Sequence, residues 1–103
     1  MSKPHILSEA EISTALSALP DWRYAAPNIE AEFTFATFRD AIAFIVQVAI
    51  EAEVVNHHPD LRNVYNRVAF ALCTHDVGRK VTDADIALAE NISAAAARFP
   101  KRE

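Results

Sequence analysis

The chain has 103 residues, 51% of them hydrophobic, which suits one packed core in a single domain spanning 1–103. Its 14 acidic and 10 basic residues leave a net charge of −4, and no basic run marks it as a nucleic-acid binder. A single glycine, Gly78, excludes glycine-rich phosphate loops, and a single cysteine, Cys73, excludes an intrachain disulfide. Met1 to Glu11 has no apolar signal core, and the longest apolar stretch, around Ala41 to Ile50, is too short to cross a bilayer. A cytoplasmic protein is expected, and one this small gains stability from oligomerisation.

In chain order, Ser8 with Glu11 opens a first helix over 8–19. A hydroxyl three residues before a carboxylate is the capping-box pattern, in which each side chain accepts an orphan backbone N–H. Ile12, Ala15, Leu16 and Leu19 form its apolar stripe, and Pro20 stops it. Trp22 to Tyr24 and Ile29 to Phe35 read as strands joined by a turn at Pro27-Asn28. Glu30, Glu32 and Thr34 alternate with Ala31, Phe33 and Phe35, so one sheet face is wet and the other buried. Thr37 with Asp40 opens a second helix over 37–56. Phe38, Ile42, Ile45, Ala49 and Ala52 predict its buried stripe. Ala43, Val46, Ile50 and Val54 form a second stripe, read as a subunit contact in a homodimer or homotetramer.

A short strand is expected around Asn63 to Tyr65 and a longer one from Val68 to an end at Thr74-His75, with Cys73 as a small buried hydrophobe. Thr82 with Asp85 opens the third helix, over 82–99, which Pro100 ends. The order α-β-β-α-β-β-α predicts an α+β fold: a four-stranded antiparallel sheet with three helices on one face.

Three of the four histidines fall in two places that this fold could bring together. His57-His58-Pro59 closes the second helix, since Pro59 forbids further helix. His75 ends the long strand, and Glu53 lies one turn before His57 on the same helical face. His5, in a frayed terminus, has no role. Imidazoles titrate near neutrality, so two or three at one site make a general acid and base. Singly, each has a plainer reading: His57 as a helix-end cation, His75 as a surface residue, Asp85 as a capping carboxylate. Zinc held by Glu53, His57, His58 and His75 is a rival reading. Against it, adjacent histidines seldom aim at one ion, and no His-Glu-x-x-His is present.

Glu53-x-x-x-His57-His58-Pro59, followed at set intervals by Tyr65, His75 and Asp85, resembles the signature of the pterin-4a-carbinolamine dehydratase family. Asn63 to Val68, Thr74-His75-Asp76 and Leu19-Pro20-x-Trp22 resemble it too. The resemblance covers nearly the whole chain and implies the same α+β fold. It implies dehydration of a 4a-hydroxy-tetrahydropterin to a quinonoid dihydropterin. His57, His58 and His75 would be the acid–base and pterin-contacting residues, with Glu53 and Asp85 supporting carboxylates. Pro59 and Tyr65 would shape the pocket. No cofactor or metal is implied; an aromatic amino-acid hydroxylase is the implied metabolic link. A binding role without turnover, through the apolar helix face, is the alternative. The chain departs from the family at Leu61, where an aromatic is common, and at Arg79-Lys80 in a loop one residue longer.

Overall fold

A computed structural model describes residues 4–101. The elements are α1 (Glu9–Leu16), β1 (Trp22–Ala25), β2 (Asn28–Thr34), α2 (Phe38–Val55), β3 (Asp60–Val64), β4 (Arg67–Leu72), a 3-10 turn (His75–Val77) and α3 (Asp83–Ala96). The strands form one antiparallel sheet in the order β1-β2-β4-β3, so β2 and β4 are central. Ile29 opposes Leu72 and Phe33 opposes Val68 across that central pair. These side chains belong to one buried cluster with Ile12 of α1, Phe44 and Val48 of α2 and Leu88 and Ile92 of α3. The expected fold is present, because period-two burial in the strands and helical burial in α1 and α3 meet in one core.

The helix starts follow the hydroxyl–carboxylate pairs. Ser8 with Glu11 and Thr82 with Asp85 form complete capping boxes. At α2 only half forms: the Thr37 hydroxyl accepts from the Asp40 N–H and donates to the Asp40 carboxylate, which therefore does not reach back to the backbone. The segment from His5 to Leu7 is not frayed. Leu7 N–H donates to the Val81 carbonyl, His5 N–H to the Asp83 carboxylate, and Asp83 N–H to the His5 carbonyl.

α2 packs with a different phase from the expected one. Ala41, Phe44, Val48 and Ala52 are buried, whereas Phe38 and Ile42 of the predicted stripe lie exposed. Apolar residues surround this helix, so periodicity alone could not choose its inner face. The choice falls where Phe44 meets the rings of Phe33, Phe35, Phe70 and Phe99, at centroid distances of 5.7, 4.7, 5.7 and 6.1 Å. The outward stripe is Phe38, Ile42, Val46, Ile50 and Val54, the last three 54%, 55% and 80% exposed.

β3 starts directly after Pro59, earlier than expected, pairing Asp60 with Ala71 and Val64 with Arg67. As an edge strand it carries polar Asp60, Arg62 and Asn63, which hid it from a hydrophobicity pattern. Its turn is sealed by the Asn63 side chain, which donates to the Tyr65 and Arg67 carbonyls at 3.1 and 2.9 Å. Among the described residues, no helix is long and apolar enough to cross a membrane.

Candidate active site

The end of α2 sets the site. Asn56 is left-handed (φ 52), and the N–H groups of Asn56 and His57 bond back to the Glu53 and Ala52 carbonyls. This Schellman closure stops the helix before His57, not at Pro59. The reversal turns His57 off the helix and inward, toward the start of α3.

There His57 Nε2 lies 2.6 Å from Asp85 Oδ1, and the Asp85 side chain is 0% exposed. Its other oxygen, Oδ2, accepts from Thr82 N–H at 2.8 Å and from the Thr74 hydroxyl at 2.9 Å. Asp85 therefore holds His57 and caps α3 at once. The bond from Asp85 holds the His57 pKa above the ordinary imidazole value; the Asp85 and Asp76 charges add to this and burial opposes it.

His58 stays exposed and pairs with Glu53, Nε2 to Oε2 at 3.3 Å. Glu53 was expected beside His57; the helix closure gives it to His58 instead. β4 ends at Leu72, short of the predicted end at His75, so His75 begins the 3-10 turn instead, and its ring has no hydrogen-bond partner among the described residues. Gly78 (φ 81) and Arg79 (φ 61) carry the loop back, where Thr74 N–H donates to the Lys80 carbonyl at 2.8 Å. The longer loop thus closes on the residue before His75.

His57, His58 and His75 line one cavity of about 340 Å³ with Asn56, Cys73, Thr74 and Asp76. Pro59 is half-buried between His58 and β3 and outside that lining. Tyr65 is at the opposite end of the β3–β4 hairpin, where it stacks on Phe38 with centroids 6.3 Å apart. It does not shape this cavity. Leu61 packs half-buried against the core.

Sequence reasoning missed Thr74 and misplaced Cys73, which is half-buried on the cavity wall. The signal was parity: Val68, Phe70 and Leu72 point into the core, so Cys73 faces the other way. Burial first, then the Asp85 charge, push its thiol pKa up, so it stays a neutral thiol near neutrality. A larger groove of about 520 Å³ runs between α1 and α3, but no histidine lines it. Of its three carboxylates, Glu11, Asp83 and Glu90, the first two are engaged in capping Ser8 and holding His5. The three histidines of the predicted site line the smaller cavity instead. No cluster of three His, Cys, Asp or Glu side chains able to hold a metal ion occurs among the described residues.

The sequence model of the family described as Pterin 4 alpha carbinolamine dehydratase matches residues 5–95. A relative from Opitutus terrae named "Putative pterin-4-alpha-carbinolamine dehydratase" is 45% identical over 86 residues, 84% of this chain and 89% of its own. One of the same name from Chloroflexus aurantiacus is 49% identical over 86 residues, 84% of this chain and 91% of its own. The crystal structure of a "transcriptional coactivator/pterin dehydratase" from Brucella melitensis superposes with TM-score 0.85 at 38% identity, over 89% of this chain and 99% of that one. A pterin dehydratase-like protein described as a RuBisCO assembly factor shares the fold, with TM-score 0.62 at 24% identity over 74% of this chain and 89% of its own. With the family match running from one end of the fold to the other, around all three cavity histidines, the chain belongs to the pterin-4-alpha-carbinolamine dehydratase family.

Proposed function

We propose that this chain dehydrates a 4a-hydroxy-tetrahydropterin to a quinonoid dihydropterin and water. The observation carrying this reading is the convergence of three imidazoles on one cavity, one of them held by a buried carboxylate. The elimination needs a base for the N5 proton and an acid for the departing hydroxyl. His57, made more basic by Asp85, takes the N5 proton. The N5–H electron pair forms the N5=C4a bond as the C4a–O bond breaks. His75, whose ring is free of protein partners among the described residues, gives the hydroxyl a proton and releases it as water. His58, braced by Glu53, contacts the pterin, and Pro59 fixes the backbone entering β3. Exchange with solvent resets both imidazoles. This chemistry asks for no cofactor. A pterin-dependent aromatic amino-acid hydroxylase would supply the substrate, in a reducing cytoplasm where the Cys73 thiol stays free.

The test is the loss of a 4a-carbinolamine, generated in situ by such a hydroxylase, with and without the protein. Acceleration is expected, and the double variant His57→Ala/His75→Ala abolishes it. Retained turnover in that folded double variant sinks the assignment.

A second reading concerns the outward stripe of α2. Five exposed apolar residues in line, extended by Tyr65 stacked on Phe38, favour a second copy of this chain as their cover. A role without turnover, with another protein on that face, is the alternative. The Brucella melitensis relative is described as a transcriptional coactivator/pterin dehydratase.

A further inference from the structure

We propose that Thr74 is a positioning residue that fixes, through Asp85, which nitrogen of His57 exchanges the proton. The inference rests on the acid–base role proposed for His57. It starts from three polar side chains packed out of solvent between β4 and α3. Thr74 is 4% exposed, and Thr82 and Asp85 are each 0% exposed. No buried side-chain nitrogen or oxygen among the described residues lacks a partner.

The protons in this cluster can be counted. The Thr82 hydroxyl oxygen accepts from Ala84 N–H at 3.2 Å, which caps α3. It lies 2.7 Å from the Thr74 hydroxyl and 3.4 Å from Asp85 Oδ2. The Thr74 hydroxyl lies 2.9 Å from Asp85 Oδ2. Each hydroxyl has one proton to give. The arrangement that makes both short contacts good runs one way: Thr82 donates to Thr74, and Thr74 donates to Asp85. With the Thr82 N–H at 2.8 Å, Oδ2 then has two strong donors. Among the described residues, Oδ1 has one hydrogen-bond partner, His57 Nε2 at 2.6 Å.

The consequence falls on the imidazole. A carboxylate accepts and does not donate, so neutral His57 carries its proton on Nε2. Nδ1, which has no hydrogen-bond partner among the described residues, holds the lone pair and meets the substrate. Thr74 matters because it fills Oδ2 and leaves Oδ1 turned to the ring. Its backbone is itself pinned by the returning loop: its N–H donates to the Lys80 carbonyl at 2.8 Å, and its carbonyl accepts from Arg79 N–H at 3.1 Å. The next residue is His75. One buried threonine therefore braces the support of His57 and the backbone leading to His75.

The experiment is long-range proton–nitrogen NMR of the His57 ring at alkaline pH, where the ring is neutral, with His57→Gln to assign its signals. The wild-type protein is expected to show a protonated, pyrrole-like Nε2 and a pyridine-like Nδ1. Thr74→Val, close in shape but without the hydroxyl, is expected to give mixed tautomers and a kcat about tenfold lower, as loss of one buried hydrogen bond to a charged group implies, with KM unchanged. Thr74→Ser is expected to restore both. A wild-type ring protonated on Nδ1 overturns the proposal without any variant, even if Thr74→Val does not fold. Wild-type tautomer and kcat in Thr74→Val, or no recovery in Thr74→Ser, overturn it as well. An Nε2–H ring in a protein with no dehydratase turnover would sink the proposed reaction and leave the positioning intact.

Discussion

Replacing His57 by Gln tests the buried pair at the centre of the site through stability, independently of turnover. Gln keeps an amide that can donate to Asp85 Oδ1 but can never carry the charge. Folding raises the pKa of His57 above 6.5, chiefly through its bond to Asp85, so folding favours the protonated ring. A raised pKa gives stability that is fully present below the unfolded value and is lost as pH rises through the folded value. The His57 side chain is 17% exposed and Asp85 0%, so solvent screens the pair little. With Asp85 ionised, the ring makes a charge-assisted bond in either state, worth about 1.5–3 kcal/mol, with the protonated ring about 1–1.5 kcal/mol higher in that range than the neutral one. The advantage of wild type over His57→Gln should therefore shrink by about 1–1.5 kcal/mol between about pH 5.5 and about pH 9. Urea denaturation of both proteins at one fixed concentration measures it, since association would shift both midpoints. An advantage that is flat, or that grows with pH, would refute the charged pair.

Two further outcomes test the packing. Phe44→Ala removes a fully buried ring that meets four other phenylalanines, and should cost about 3–5 kcal/mol in the same denaturation assay. A cost under about 1 kcal/mol would contradict the observed phase of α2. Ile50→Glu, on the outward stripe, should lower the particle mass by light scattering while leaving the circular dichroism unchanged. An unchanged mass would mean that no second copy covers that face.

The fold was legible where one signal dominated. Ser8-Glu11 and Thr82-Asp85 announce their helices because a capping box is local chemistry, and Val68-Phe70-Leu72 announces β4 because alternation is local geometry. The facing of α2 was not legible, since residues such as Ile42 and Phe44 are equally apolar and only contacts distant in sequence separate them. The site divides in the same way. His57, His58 and His75 were readable as residue types at set spacings. That Glu53 serves His58 and Asp85 serves His57 depends on Asn56 entering the left-handed region, a backbone event with no strong marker in the sequence. Tyr65 was drawn to the site by motif proximity alone; an antiparallel hairpin carries it to the far end.

Asp85 answers to two masters, since one oxygen caps α3 and the other holds His57. Mutational drift would treat such a position unlike its neighbours. A descendant freed from the need for turnover could shed His75 or His58, exposed residues with no share in the core, and keep its shape. The same descendant would hold on to its aspartate, because losing it also unties the first turn of α3. In lineages of this fold, a surviving acid at this place records the shape, and only the imidazoles record the chemistry.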